Sequence, residues 1–235
     1  MNKLIPNYGQ EMIAVLWILF ICIAFLLSAI VYLFIIDSAA YFQMVLMGVI
    51  AVFFGIFIAK GIWSSRTGKL IMRDKLIAEL NLKGSEKCLD IGCGRGLLTV
   101  GIAKKLTTGK VIGLDHWQAT FEYKYGRQMA ENNVQIEGVA NFVEIVDGDA
   151  LKLPFETEQF DIITSSLVIH HVKDGNKAFN EMWRVLKPYG IIAIADIASP
   201  KITKEILDAG FEIIIKKTLV RLFFFKVNLI IAKKI

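Results

Sequence analysis

The chain is poor in the residues that cross-link or interrupt small folds: of 235 residues only three are cysteine and four are proline. Cys22, Cys88 and Cys93 show neither CxxC nor CxxH spacing. A disulfide framework and a zinc site are thereby excluded, and no metal centre of any kind is expected. Proline- or serine-rich linkers, internal repeats and low-complexity tracts are also missing, so a string of small domains is not expected. No run of basic residues stands out either. The 27 Lys and Arg outnumber the 22 Asp and Glu for a net charge of +5 and a pI near 9.0, but they are scattered, and a nucleic-acid partner is not expected.

Charge itself is missing from two long stretches, residues 12–36 and 38–59. At about 1.5 Å per helical residue each can reach across the roughly 30 Å of a bilayer core, with some tilt in the first. A hydrophobic fraction of 55% and a mean hydropathy of +0.53 agree with part of the chain lying in lipid. The first stretch is too long for the apolar region of a cleaved signal peptide and is followed at once by the second. We therefore expect a transmembrane helical hairpin, with spans of about 12–36 and 39–62, making residues 1–65 a membrane anchor and residues 66–235 one domain. Lys3 precedes the first span and Lys60, Arg66, Lys69, Arg73 and Lys75 follow the second, whereas the turn at Asp37 and Ser38 has no basic residue. That asymmetry puts both ends and the large domain in the cytoplasm. Trp17 and Trp63 suit the water interface, and Ala51, Gly55 and Ala59 form a small-residue stripe that fits the other span or a second copy in a homodimer.

Beyond Arg66 the pattern changes. An amphipathic helix with Leu70, Ile77 and Leu80 on one face is expected to continue straight from the anchor and to end by Gly84. Short apolar runs then alternate with helical ones. Strands are expected at 87–91, 111–115, 143–147, 161–165 and 191–196, and helices at 97–106, 119–137, 175–186 and 203–209. Two strand-like runs, 211–218 and 223–233, close the chain. The last contains Phe223, Phe224 and Phe225, but its β-rich composition and interspersed Lys226, Asn228 and Lys233 favour a sheet strand over a third span. The fold class is α/β: a Rossmann-like, doubly wound, mostly parallel seven-stranded sheet with a C-terminal antiparallel hairpin.

In such sheets ligands bind beyond the carboxyl ends of the strands. After the first strand stands Asp90-Ile91-Gly92-Cys93-Gly94-Arg95-Gly96, whose glycines permit a tight turn and close approach of a ligand to the backbone. A dinucleotide fingerprint counted from Gly92 requires glycine at position 97, which is leucine here. The early third glycine and the acidic Asp90 disfavour NAD and point to a ligand with a cationic amino-acid moiety. Asp115 ends the second strand, placed to accept hydrogen bonds from two ribose hydroxyls, and Asp149 follows the third. Aspartate is common in turns and caps, but three at successive strand ends form a pattern.

Those residues, with Gly148-Asp149-Ala150, Leu153-Pro154-Phe155, Phe160-Asp161 and Arg184-Val185-Leu186-Lys187-Pro188, make the chain from about Leu70 onward resemble the class I S-adenosylmethionine-dependent methyltransferases. The resemblance implies S-adenosylmethionine as cofactor. Gly92 and Gly94 would then face the methionine part, Asp115 the ribose and Asp149 the adenine amino group. The full set expected to line the cofactor is Asp90, Gly92, Cys93, Gly94, Gly96, Asp115, His116, Asp149, Ala150 and Ser165. Tyr189-Gly190 stands where the family usually has two glycines after proline.

A sulfonium methyl is already electrophilic, so the protein must mainly align donor and acceptor and keep water out. A base is needed only when the acceptor carries a proton to lose. His170 and His171, just past the fourth strand, are the candidates, although a cap or packing role fits adjacent histidines there equally. No insertion after the fifth strand roofs the acceptor site. The membrane-proximal helix, Trp117 with residues 121–125, or the bilayer surface would have to close it, which suggests a small-molecule or lipid-like acceptor delivered from the bilayer. The alternative is a membrane-anchored, non-catalytic module that binds the cofactor as a sensor or assembly partner.

Overall fold

The computed structural model describes residues 6–8, 20, 23–24, 26–28, 30–31, 41–117 and 126–235. The expected first span and the turn after it fall largely outside these, as do residues 118–125. Residues 6–8 belong with Leu70–Ile235 in one compact unit, and Gly9–Lys69 is a second.

In the second unit, helix α1 (Tyr41–Trp63) carries no acidic residue in its first turn and Lys60 in its last. Most of its described apolar side chains are exposed, Val52 at 65% and Phe53 at 63%, while Met47, Ala51 and Ile58 along one face are half-buried. A helix that is hydrophobic all round and leaves most of its described surface exposed has the character of a lipid-facing segment rather than of a soluble core. Among the described residues it lies in the one stretch, Leu46–Leu80, that is long and apolar enough to cross a membrane. The helical path is not uninterrupted: a π-helical turn, Ser64–Gly68, separates α1 from α2 (Lys69–Leu80). Helix α2 stops before the expected Gly84 because Asn81 takes a left-handed conformation, φ 48°.

The first unit is a seven-stranded sheet in the order β3-β2-β1-β4-β5-β7-β6. Its strands are β1 (Lys87–Ile91), β2 (Lys110–Asp115), β3 (Val143–Asp147), β4 (Phe160–Ser166), β5 (Leu186–Ile197), β6 (Phe211–Leu222) and β7 (Phe225–Lys234). The first five are parallel, and β7 runs antiparallel to both neighbours. Helices α3 (Leu97–Ala103), α4 (Gly126–Ile136), α5 (Gly175–Val185) and α6 (Pro200–Asp208) connect them. Two apolar clusters cover the two faces. One joins Met72 and Leu76 of α2 to Leu98, Ile102 and Leu229, and the other joins Phe160, Phe179, Met182, Ile192 and Ile206. Strand β1, buried along all but its first residue, reads as an apolar run, and the edge strand β3 keeps its expected bounds although its residues are half-buried or exposed. Other edges moved. Helix α3 ends at Ala103 rather than 106, the described helix in 119–137 is Gly126–Ile136, and β5 begins five residues early, at Leu186. Tyr189 takes the left-handed turn position, φ 64°, where a second glycine was expected from the resemblance.

The N-terminal contact was not foreseen. Asn133 of α4, 3% exposed, accepts from the backbone N–H of Asn7 at 2.9 Å. Its amide nitrogen donates to the carbonyls of Asn7 (3.0 Å) and Arg95 (2.9 Å). The Arg95 guanidinium reaches the Asn7 side chain at 3.2 Å, and the Tyr8 hydroxyl donates to Glu137 at 3.0 Å. One buried amide therefore ties residues near the N-terminus to the loop after β1. Asn133→Ala strips these carbonyls and the N–H of their partner and should cost about 1–3 kcal/mol. The expected readout is a lower thermal midpoint with faster proteolysis near residue 8.

Candidate functional site

The strand order reverses between β1 and β4, so a crevice opens at their carboxyl ends, the place where parallel sheets bind ligands. The loop after β1 occupies its floor. Its three glycines all have positive φ: Gly92 72°, Gly94 53° and Gly96 79°, a region that side chains with a Cβ enter at a cost. The N–H groups of Gly92 and Cys93 both donate to the Leu114 carbonyl, at 2.8 and 3.1 Å, and Gly96 N–H donates to the Cys93 carbonyl at 2.8 Å. A Cβ on Gly92 would lie 2.3 Å from Val168, so this glycine is required by packing. A Cβ on Gly94 would meet nothing within 4 Å. Gly94 therefore presents bare backbone to open space, as a cradle for a close-lying ligand does.

The Asp115 carboxylate bridges this loop to the next. It accepts from Gly94 N–H at 2.8 Å and from Trp117 N–H at 3.1 Å, and the exposed His116 ring lies 3.4 Å away. Each oxygen keeps a second lone pair for a ligand hydroxyl. Asp149 is exposed at the end of the third strand, one oxygen accepting from Leu151 N–H at 2.9 Å, and Ala150 beside it is half-buried. Asp115, Asp149 and the glycine loop thus share one edge, as the spacing suggests.

Asp90, Cys93 and Ser165 sit differently. Asp90 is 1% exposed and faces inward, where Thr99 and Thr164 donate to its two oxygens at 2.6 and 3.0 Å. Thr164 is its register partner on β4. Burial raises the carboxyl from its ordinary 3.8 to about 7, against the lowering effect of both hydroxyls. The Cys93 thiol is pushed well above its ordinary value by burial, so it packs rather than reacts. Ser165 is fully buried and donates to the Ile91 carbonyl at 2.9 Å. These side chains brace the loop from beneath.

Beyond β4, a short helical turn, Ile169–His171, carries both histidines. His170 Nδ1 lies 2.5 Å from Asp196 Oδ1, and its backbone N–H reaches the other oxygen at 3.3 Å. Asp196, 3% exposed near the end of β5, also accepts from Ile197 N–H at 2.6 Å. The His171 ring packs on His170 with centroids 3.9 Å apart and meets no such carboxylate among the described residues. Sequence reasoning missed Asp196 as a partner. The signal lies in the strand pairing: Asp196 stands one residue before the end of β5, which pairs with β4, and this places its carboxylate beside the turn after β4. Trp117 donates its indole N–H to Asp147 at 2.6 Å. Residues 121–125, expected to help close the acceptor site, lie outside the described residues.

A glycine cradle at the switch point, carboxylates at or just beyond the ends of the next two strands and an imidazole–carboxylate pair lie at the carboxyl edge of the sheet, and residues 89–194 match the family model described as a methyltransferase domain. The chain carries a methyltransferase domain whose cofactor is S-adenosylmethionine. Among its relatives, the demethylmenaquinone methyltransferase of Lactobacillus johnsonii is 32% identical over 141 residues, covering 60% of this chain and 54% of that protein. The same-named protein of Staphylococcus saprophyticus is 33% identical over 129 residues, covering 54% and 52%. The chain thus spans about half the length of the curated relatives it matches. Among solved structures, a SAM-dependent methyltransferase from Aquifex aeolicus superposes with a TM-score of 0.59 at 22% identity, over 71% of this chain and 92% of that one. The cyclase SpnF superposes at 0.60 and 17%, over 69% and 80%. At such identities the likeness speaks for the fold alone, and the cyclase title marks how different a reaction one fold carries.

Two substitutions separate packing from binding. Gly92→Ala should lower the thermal midpoint through the Val168 clash, whereas Gly94→Ala should fold with a cost of about 1 kcal/mol yet bind S-adenosylhomocysteine more weakly in calorimetry. Asp90 yields a pH test. Its folded-state pKa lies above its unfolded one, so the folded protein holds the extra proton between about pH 4 and 7. Stability from this group is present below about pH 4 and lost as pH rises to about 7. Urea titrations across that range should show wild type losing stability relative to Asp90→Asn.

Proposed function

We propose that this chain is a methyltransferase anchored in the cytoplasmic membrane by two helices, acting at the cytoplasmic face on a lipid-like quinol. The observation that carries the reading is the His170–Asp196 pair at the same strand edge as the glycine cradle. The relatives' name, demethylmenaquinone methyltransferase, supports an acceptor of that class, because a quinol hydroxyl has a proton to lose as its ring gains a methyl group.

When bound, S-adenosylmethionine supplies an electrophilic methyl group. The chain's own part begins with Gly94, whose bare backbone lies open to the methionine portion, while Gly92, packed on Val168, and Gly96 permit the turn that holds it there. Asp115 accepts the ribose hydroxyls while keeping Gly94 in place, Asp149 takes the adenine amino group, and His116 and Ala150 flank them. Asp90, Cys93 and Ser165 act from below by fixing the loop. Asp196 accepts the Nδ1–H of His170, which leaves Nε2 as the acceptor of a proton from the quinol hydroxyl. With the hydroxyl proton held on Nε2, the adjacent ring carbon would carry the electron density that accepts the methyl group; the proton that this carbon then loses would return to the oxygen, and the proton on His170 would pass to solvent. His171 stacks on His170 and limits its rotation.

Two features support the two-span anchor. Helix α1 exposes most of its described apolar side chains, and residues 6–8 and Leu70–Ile235 belong to one unit while Gly9–Lys69 is inserted between them. A chain that leaves the domain at Tyr8 and rejoins it at Leu70 must cross a membrane an even number of times, so a crossing by α1 calls for a second, over 12–36. The positive residues flanking this insert favour the cytoplasm. The stripe of Ala51, Gly55 and Ala59 suits close packing with that first span or with a second copy.

Purified full-length protein should release S-adenosylhomocysteine when given a demethylated quinol with an isoprenoid tail. His170→Ala should lower kcat by about 10²–10⁴, and Asp196→Asn should lower it less, both without weakening S-adenosylhomocysteine binding. Wild-type kcat in His170→Ala would remove the base; no turnover of any quinol by the wild type would remove the acceptor class.

A further inference from the structure

The strand expected from 223 begins two residues late, and the difference leaves an aromatic tip. Leu222 pairs with Phe225, so Phe223 and Phe224 form the two-residue turn of the β6–β7 hairpin. Such turns favour Asn and Gly, because the central residues take positive φ. Here Phe223 holds φ 55°. Phe224 and Phe225 are 50% and 55% exposed, and the Phe223 and Phe224 rings meet edge to face at 4.5 Å. Three consecutive aromatics at an exposed turn, one of them in a conformation that strains a bulky residue, oppose both turn chemistry and solubility.

The charges beside the tip point to an anion. Arg221 and Lys226 are directly opposite each other across the two strands, and both are exposed. Like charges in that register repel, and an anionic surface laid over them relieves the repulsion.

The position of the tip in the fold selects the surface. Strand β7 begins beside the end of β5: Val227 pairs with Ile197 and Asn228 with Asp196, and Ala198 N–H donates to the Lys226 carbonyl at 3.0 Å. The tip therefore projects past the edge that holds His170 and Asp196. Helix α2 runs antiparallel to β6, with Lys217 paired to Glu79 at 2.7 Å and Lys75 donating to the Leu219 carbonyl at 3.3 Å. Its first residues, where the chain enters from the apolar helix, thus lie at the tip end. The chain's entry from its apolar segment, the aromatic tip and the His170–Asp196 pair share one end of the domain.

We propose that Phe223, Phe224 and Phe225, with Arg221 and Lys226, form a docking surface for an anionic lipid bilayer, which seats the acceptor site against the membrane. Aromatic rings enter the headgroup region while the two cations meet lipid phosphates. A hydrophobic-tailed acceptor then reaches His170 without leaving lipid. The inference rests on the membrane reading above but not on the acceptor or the base.

The test uses the full chain with Cys22→Ser, since Cys88 and Cys93 are buried. An environment-sensitive fluorophore is placed at Phe224→Cys, or, as a control at the opposite edge, at Asn141→Cys. The protein is reconstituted in vesicles of phosphatidylcholine alone or mixed with phosphatidylglycerol. Docking predicts a blue shift and quenching by spin-labelled lipid at 224, stronger with phosphatidylglycerol, and neither at 141. Adding Arg221→Ser and Lys226→Ser should lower the docked-to-free ratio roughly thirtyfold. A label at 224 as water-exposed as that at 141 would overturn the proposal. So would a blue shift in detergent that grows with protein concentration, which assigns the tip to a second copy. Quinol turnover in detergent micelles is measured separately: docking without turnover would defeat the acceptor reading alone, and turnover without docking would defeat this one alone.

Discussion

The left-handed glycine turn after β1 is the constraint on which the remaining site geometry depends. Gly92 has room for no side chain because Val168 packs against it. With Gly92 and Cys93 both hydrogen-bonded to the Leu114 carbonyl, the loop folds back over the end of β2. That places Gly94 N–H on Asp115 and leaves open space above Gly94. Loosening the turn would release the Asp115 carboxylate and the backbone face it orients in a single step.

Buried polar groups hold the turn from below. Asp90 would be costly to bury without partners, yet Thr99 from α3 and Thr164 from β4 satisfy it, and Ser165 fixes the Ile91 carbonyl one register position further on. Each hydroxyl joins the loop to a neighbouring element, so the sheet's strand order is transmitted to the crevice as fixed atom positions. On the far side of that crevice, three donors converge on Asp196 and orient the imidazole of His170. The His170 ring is thereby held in place by contacts within the chain alone.

Much of this was legible in the sequence because it depends on local pattern. The runs 87–91 and 143–147 became strands with unchanged bounds because apolar segments flanked by turn residues carry their own signal, and the Gly92–Gly96 spacing announced its turn. What stayed hidden depends on contacts distant in sequence. Nothing near Asp90 says that its carboxylate turns inward toward Thr164, and nothing near His170 names Asp196, until β4 and β5 are known to be neighbours. Asn133 and Asn7 are farther apart still. The aromatic run from 223 read as strand because composition favours β structure, while the turn that exposes it was set by the register of β6 against β7.

The most direct measurement follows the methyl group itself. Pure full-length protein is incubated with methyl-labelled S-adenosylmethionine and membranes containing a demethylated quinone pool under reducing conditions, then extracted with organic solvent. The account predicts label in the organic phase, on a quinone one methyl group heavier than its precursor. Label confined to the aqueous or protein fraction, with the quinone mass unchanged, would contradict it.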